Sequence, residues 1–322
     1  MFKNKVSFPL ILIIGLLSVY VFFISGCGGN TSAYPQAQYT IDVPSPQSPT
    51  ASPTPTPERD LDLYAVIVGI KNYPKPYTLK YPVEDAKSFY KSLRESPLWS
   101  GAFVSILYDS DATKENVQKY MEDAAGRLKE GAMFVFYFSG QGSNYYGTTG
   151  CLLLYGGDLD LEERITEDAL DAWLAAIPAS CKKYIVIDAC YSGAFIDKGA
   201  GPGIRTKFIP VESSYPVFKG DYTGKILAHT PNMAAITSSK WDQKSYESDT
   251  IGHSFMTYYL VQGLGTGAAI GPAAPEGATR VTAEESYIYA APRVSEAVLN
   301  IGLTQDIQIQ DNYTGDMVVK NI

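Results

Sequence analysis

The runs AMFVFYFSGQG (132–142) and KKYIVIDACYSG (182–193) each pack seven or more mostly apolar residues and then break into small polar ones. A continuous apolar run of this length reads as a strand buried on both faces, as in a parallel sheet. YAVIVGI (64–70), FVSILY (103–108) and MAAITSS (233–239) have the same character. Helical spacing separates them: Val83, Ala86, Phe89, Tyr90 and Leu93, then Val117, Tyr120, Met121, Ala124 and Leu128, with Gly131 as the expected stop. Ala169, Leu170, Trp173, Leu174 and Ile177 mark a third helix closed by Pro178, and a fourth is expected from about Ser254 to Leu264. Thr282 and Glu285 form a capping box that opens another helix. CLLLY (151–155) is expected as an edge strand and DMVVK (316–320) as the last strand, with loops over SGQGSNYYGTTG (139–150) and Tyr191–Asn232. This order predicts an α/β three-layer sandwich: a mostly parallel sheet of about six strands with helices on both faces. Ligands of such a sheet bind at the carboxyl ends of its strands.

The flanking sequence divides the 322 residues further. Lys3 and Lys5 precede an apolar run from Val6 to Ile24, and ISGC ends at Cys27. The order of charge, apolar stretch and small residues is that of an export signal, although the run is also long enough for a retained membrane helix. ISGC resembles the bacterial lipobox, which implies a signal peptide over 1–26 and a lipid-bearing Cys27 at the mature N-terminus. Residues 30–58 hold seven prolines, and PSPQSPTASPTPTP at their centre cannot build a core. Residues 27–59 are therefore expected to be an anchor cysteine and an extended linker, and 60–322 the folded domain. The expected location is the bacterial cell envelope, lipid-anchored and outside the cytoplasm.

Composition excludes several function classes. The formal charge is −8 at an isoelectric point near 4.9, which disfavours nucleic acid as a partner because phosphate repulsion replaces counterion release. The histidines, His229 and His253, and the cysteines Cys27, Cys151, Cys181 and Cys190 fall in no zinc-ligand spacing. Neither a glycine-rich phosphate loop nor G-x-S-x-G follows any strand. Two strand ends remain, SGQG (139–142) and DACYSG (188–193). A thiol at the end of a buried strand, followed by a turn of small residues, is suited to nucleophilic attack, with nearby backbone amides as an oxyanion site; a structural buried thiol is the alternative. Cys151 and Cys181 are read as two thiols, with a disulfide as the alternative in an exported protein. Tyr145, Tyr146 and Tyr155 flank the candidate site.

Taken in order, YAVIVGI, PVEDAKSFYKSL, FYFSGQG, YIVIDACYSG and AAITSS resemble the caspase and metacaspase superfamily of cysteine peptidases over nearly the whole chain from Asp60 onward. The resemblance implies a caspase-like fold, a peptide or protein substrate, and a catalytic dyad on the two strand ends. Its pattern has FSGHG for the histidine and D-x-C-x-S-G for the nucleophile. Cys190 matches the nucleophile; the histidine position is Gln141. In the metacaspase branch acidic residues select Arg or Lys before the scissile bond, and Asp85 and Asp188 match those positions. Metacaspases often use calcium, but no complete acidic site for it maps onto this chain, so no cofactor is assigned. A carboxamide neither takes the thiol proton nor returns one to the leaving amine, and loss of that help costs about 10²- to 10⁴-fold in rate. The expectation is a lipid-anchored pseudopeptidase that keeps peptide or protein binding; the alternative is an active endopeptidase cleaving after Arg or Lys. His253, after the fifth strand, is the candidate for a relocated base, with His229 expected further off.

Overall fold

Side chains on successive residues of a strand point to opposite faces, so an all-apolar strand needs cover on both sides. A computed structural model shows how that cover is supplied. It describes residues 60–73, 78–145, 149–156, 163–190, 229–240, 243–265 and 278–322. The leader, Cys27, the linker, Tyr146, the Tyr145 side chain and most of the Tyr191–Asn232 stretch lie outside the described residues. Among the described residues no helix is long and apolar enough to cross a membrane.

In chain order the elements are β1 (Leu61–Gly69), α1 (Pro82–Arg94), β2 (Phe103–Tyr108), α2 (Lys114–Arg127), β3 (Leu128–Ser139), β4 (Gly142–Tyr145), β5 (Thr149–Leu153), β6 (Arg164–Thr166) and α3 (Glu167–Ala176). There follow β7 (Lys182–Asp188), β8 (Met233–Thr237), β9 (Glu247–Ser248), β10 (His253–Ser254), α4 (Phe255–Gly263), β11 (Arg280–Thr282), α5 (Ala283–Leu299), β12 (Gln308–Asp311) and β13 (Val318–Asn321). Six strands form the central sheet in the order β12-β8-β7-β3-β1-β2, parallel throughout except for β12 against β8. Tyr64, Val66 and Val68 of β1 face a core that Val117 and Met121 of α2 and Leu170 and Leu174 of α3 complete. The alternate residues Ala65 and Ile67 face Phe89 and Leu93 of α1, Met256 and Leu260 of α4 and Val294 of α5. The expected three-layer α/β sandwich is therefore the observed one.

Helix starts follow local chemistry. Pro82 opens α1 with Glu84 and Asp85 in its first turn and Lys91 and Arg94 in its last, the charge order that complements the helix dipole. Thr113 and Thr166 cap α2 and α3, and the Thr282–Glu285 capping box is fully formed at α5.

Three local expectations are corrected. Helix α2 ends at Arg127 without waiting for Gly131; that glycine instead sits in β3 at φ 74°, in the irregular stretch where the pairing jumps from Leu61–Leu128 to Leu63–Met133. CLLLY does not edge the central sheet. Its strand, β5, is the middle of a separate antiparallel sheet, β4-β5-β6, and β4 is built from residues expected to be loop. The Gly and Ser of GSNY are tolerated there because β5 supplies the partner ladder, with Gly142 opposite Leu152 and Ser143 opposite Cys151. DMVVK pairs with β11, and the sixth central strand is β12, a short run with no apolar stretch to announce it. Cys151 and Cys181 are two free, buried thiols, as expected, and bond the carbonyls of Ser143 and Lys129.

Phe89 is fully buried, and its ring stacks on that of Tyr137 at 4.3 Å. Phe89→Ala is expected to lower unfolding free energy by about 3–5 kcal/mol, the range for emptying such a site; urea denaturation of the domain measures it.

Candidate active site

Strands β3 and β7 are parallel neighbours whose register pairs Ser139 with Asp188, so both chains leave the sheet at the same level. The Gly140 amide donates to the Asp188 carbonyl at 3.2 Å. Beyond that point close approach requires glycine: a Cβ on Gly142 would collide with the Cys190 carbonyl oxygen, and one on Gly140 would stand 2.6 Å from the Tyr73 hydroxyl. The two glycines of SGQG thus let Gln141 and Cys190 come to one cleft. Its lining includes Leu79, Pro82, Asp85, Ser139, Gln141, Asp188, Cys190, Ser245, Tyr246, Glu247 and Ser254. All four site residues expected within the domain, Cys190, Gln141, Asp85 and Asp188, meet there.

Gln141 is held by its backbone. Its amide donates to the Tyr73 hydroxyl at 3.0 Å, its carbonyl accepts from the Leu153 amide at 3.0 Å, and the Tyr73 hydroxyl donates to the Leu153 carbonyl at 2.8 Å. Pairing with β5, in the sheet that sequence reading placed elsewhere, is what fixes the backbone at this position. Cys190 is buried, its thiol donating to the Ser245 carbonyl at 3.5 Å. The preceding residue is clamped by Ser238, whose hydroxyl accepts from the Ala189 amide at 3.0 Å and donates to the Ala189 carbonyl at 2.9 Å.

Two carboxylates make the floor. Asp188 accepts from the Ser245 hydroxyl at 2.9 Å, the Thr257 amide at 3.2 Å, the Thr257 hydroxyl at 2.7 Å, and the Ser254 hydroxyl. Thr257 in turn shares a 2.6 Å hydrogen bond with the Tyr137 hydroxyl, whose proton burial holds far more tightly than usual. Asp85 accepts from the Ser139 hydroxyl at 3.0 Å, from the Ser254 amide at 3.1 Å and from His253 Nδ1 at 2.8 Å. Ser254 therefore ties the carboxylates together, its amide to one and its hydroxyl to the other. Burial first, and the negative Asp188 beside it, push the Asp85 carboxyl up to about 6, against the opposing hydrogen bond from His253. A folded-state value above the unfolded one means that this group favours folding most at acid pH and loses that contribution as pH rises through about 6.

Both ring nitrogens of His253 stand near groups other than the thiol. Its Nδ1 is committed to Asp85, and its Nε2 lies 3.5 Å from the Ser88 hydroxyl on α1. His229 is exposed at the amino end of β8, and its charge acts on Asp171 of α3 at the opposite end of the sheet from Cys190. Tyr155 is exposed, its amide bonded to the Ala112 carbonyl. Ser139, Ser245, Ser254, Thr257 and Glu247 were not singled out from sequence. A signal was available in part, since Ser254 and Thr257 stand where a helix start offers donors to an acid.

The family model described as "Caspase domain" matches residues 62–284, and the chain belongs to this family of cysteine peptidase domains. Metacaspase-4 of Arabidopsis thaliana is 29% identical over 149 residues, 42% of this chain and 34% of that protein. Metacaspase-3 of the same plant is 29% identical over 146 residues, 41% of this chain and 40% of the relative, so the matched region spans well under half of either. A protein of solved crystal structure from Geobacter sulfurreducens superposes with a TM-score of 0.52 at 18% identity, covering 79% of this chain and 95% of its own; this similarity is one of fold.

Gly142→Ala tests the close approach that assembles the cleft. The new methyl must displace the Cys190 backbone, and overpacking of this kind is expected to cost about 1–3 kcal/mol. Thermal unfolding should show the loss, whereas Gly101→Ala, at a position open to solvent, should show little.

Proposed function

We propose that this domain is a pseudopeptidase: a caspase-family cleft that binds peptide or protein segments bearing Arg or Lys and does not turn them over efficiently. The observation that carries this reading is Gln141 lining the cleft beside Cys190, while the ring nitrogens of His253 face Asp85 and Ser88. Acyl transfer to a thiol needs a group that removes the sulfur proton and later protonates the leaving amine. A carboxamide orients a ligand through its oxygen and NH₂ but does neither. The buried pair Asp85 and Asp188 supports the preference for a basic side chain, since a guanidinium or ammonium entering a cleft above them meets two carboxylates at low effective dielectric.

The intact thiol and acidic floor also favour a second reading, a working endopeptidase cleaving after Arg or Lys, and one experiment separates the two. Wild type should leave Arg- and Lys-containing peptide substrates essentially uncleaved. Gln141→His should raise cleavage by about 10²- to 10⁴-fold, after Arg or Lys but not after Asp, and Cys190→Ala in that background should abolish the gain. Robust Cys190-dependent cleavage by wild type would establish the endopeptidase instead.

The leader supports a location: a lipid-anchored protein in the bacterial cell envelope, its domain held off the membrane by the proline-rich linker. Cys27→Ala should abolish incorporation of labelled fatty acid and leave the precursor at full length, since only the thiol accepts the lipid. Labelling equal to that of wild type would remove this assignment.

A further inference from the structure

His253 has no part in the proton transfers of the family, yet it makes the shortest contact to Asp85 and reaches it from a different element. Asp85 and Ser88 lie three residues apart on α1 and so share one face of the helix. The imidazole, carried by β10, spans that face: Nδ1 stands 2.8 Å from Asp85 Oδ1 and Nε2 3.5 Å from Ser88 Oγ. The acid is fully enclosed, while the imidazole remains 23% exposed. Around Asp85 stand Asp188 from β7, Ser139 and Tyr137 from β3 and Ser254 from β10, with Thr257 of α4 bonded to Asp188 and with Glu247 and Cys190 lining the same cleft. Of these, Asp188 and Glu247 add negative charge, and His253 is the cationic or donating ring that meets Asp85 directly.

We propose that His253 is a positioning residue that keeps Asp85 ionised and aimed into the cleft, and thereby sets the pH range over which the cleft selects a basic side chain. The inference rests on the binding role assigned above, with the acidic floor as the site of selection. Its physical basis is that a buried carboxylate survives only on hydrogen bonds to its charged form. Remove the Nδ1 donor, and burial and the neighbouring Asp188 both act to return a proton to Asp85. The buried floor then presents the charge of Asp188 alone at neutral pH, without that of Asp85. What His253 supplies is a donor: Nδ1–H is present in the charged ring and in the neutral tautomer that the Asp85 carboxylate selects at Nδ1. An asparagine amide is therefore expected to substitute for it, and a phenylalanine is not.

Two measurements on the mature chain test this. The first follows the Asp85 carboxyl directly by carbon-13 chemical shift against pH, assigned through Asp85→Asn. The midpoint in His253→Phe should rise above that of wild type by about 1–2 pH units, the worth of one hydrogen bond to a charged group, while His253→Asn should titrate close to wild type. His253→Ala carries the same comparison should the phenylalanine not fold. Unchanged midpoints in the Phe or Ala variant, or an Asn variant that titrates like them, overturn the role of His253. The second measures binding of an Arg-ending peptide aldehyde across the same pH range. Affinity for wild type should fall as pH drops through the Asp85 midpoint, and that fall should move upward with the midpoint in His253→Phe. A wild type that binds Arg- and Asp-ending aldehydes equally at every pH would overturn basic-residue selection while leaving the carboxyl titration to judge the histidine. Selection that persists with a pH profile identical in wild type and His253→Phe would instead sink the proposed role of His253 in recognition.

Discussion

Two buried carboxylates share one serine, and much of the cleft is arranged to make that tolerable. Isolated, either charge would be costly to enclose. Asp188 is supplied by three side-chain hydroxyls and an amide, and Asp85 by a hydroxyl, an amide and an imidazole, with Ser254 serving both. These donors come from β3, β10, α4 and the segment before β9, so satisfying the pair fixes where four parts of the chain sit around the sheet. The start of α4 in particular is placed by its hydrogen bonds to Asp188 and not by apolar contact alone.

That arrangement holds the acids and residue 141 by different means. The acids are set by a hydrogen-bond network deep in the fold, whereas the backbone of Gln141 is held by β5 and Tyr73. The donors gathered around the two acids make both charges tolerable where they are buried. The raised Asp85 carboxyl shows the other side of the trade: its ionised form costs stability at neutral pH, and what it supplies in return is charge in the cleft.

The same glycine logic governs the approach of the strands. Gly69 admits α1 so closely that a Cβ would stand 2.6 Å from the Pro82 carbonyl oxygen, and Gly142 admits the Cys190 backbone. The first presses the helix carrying Asp85 onto β1; the second brings the thiol beside residue 141. Neither is a turn requirement, and both would be invisible to an account of glycine as a flexible residue.

How much was legible beforehand depended on range. Apolar runs such as YIVID and MFVFYF, and helical spacing such as Val83–Ala86–Phe89–Leu93, are local periodicities, and they specified the parallel core and its covering helices. The motifs at 139–142 and 188–193 marked the strand ends that carry Gln141 and Cys190, since strand termini and short motifs are also local. Strand β12 and the β4-β5-β6 sheet were not legible, because QIQD and GSNY hold no strong pattern and become strands only when a partner edge satisfies their backbone. The partner of His253 was decided at longer range still. His253 lies 168 residues from Asp85, and no periodicity relates positions so far apart; only the packing of α1 against the β10–α4 segment brings the ring to the acid.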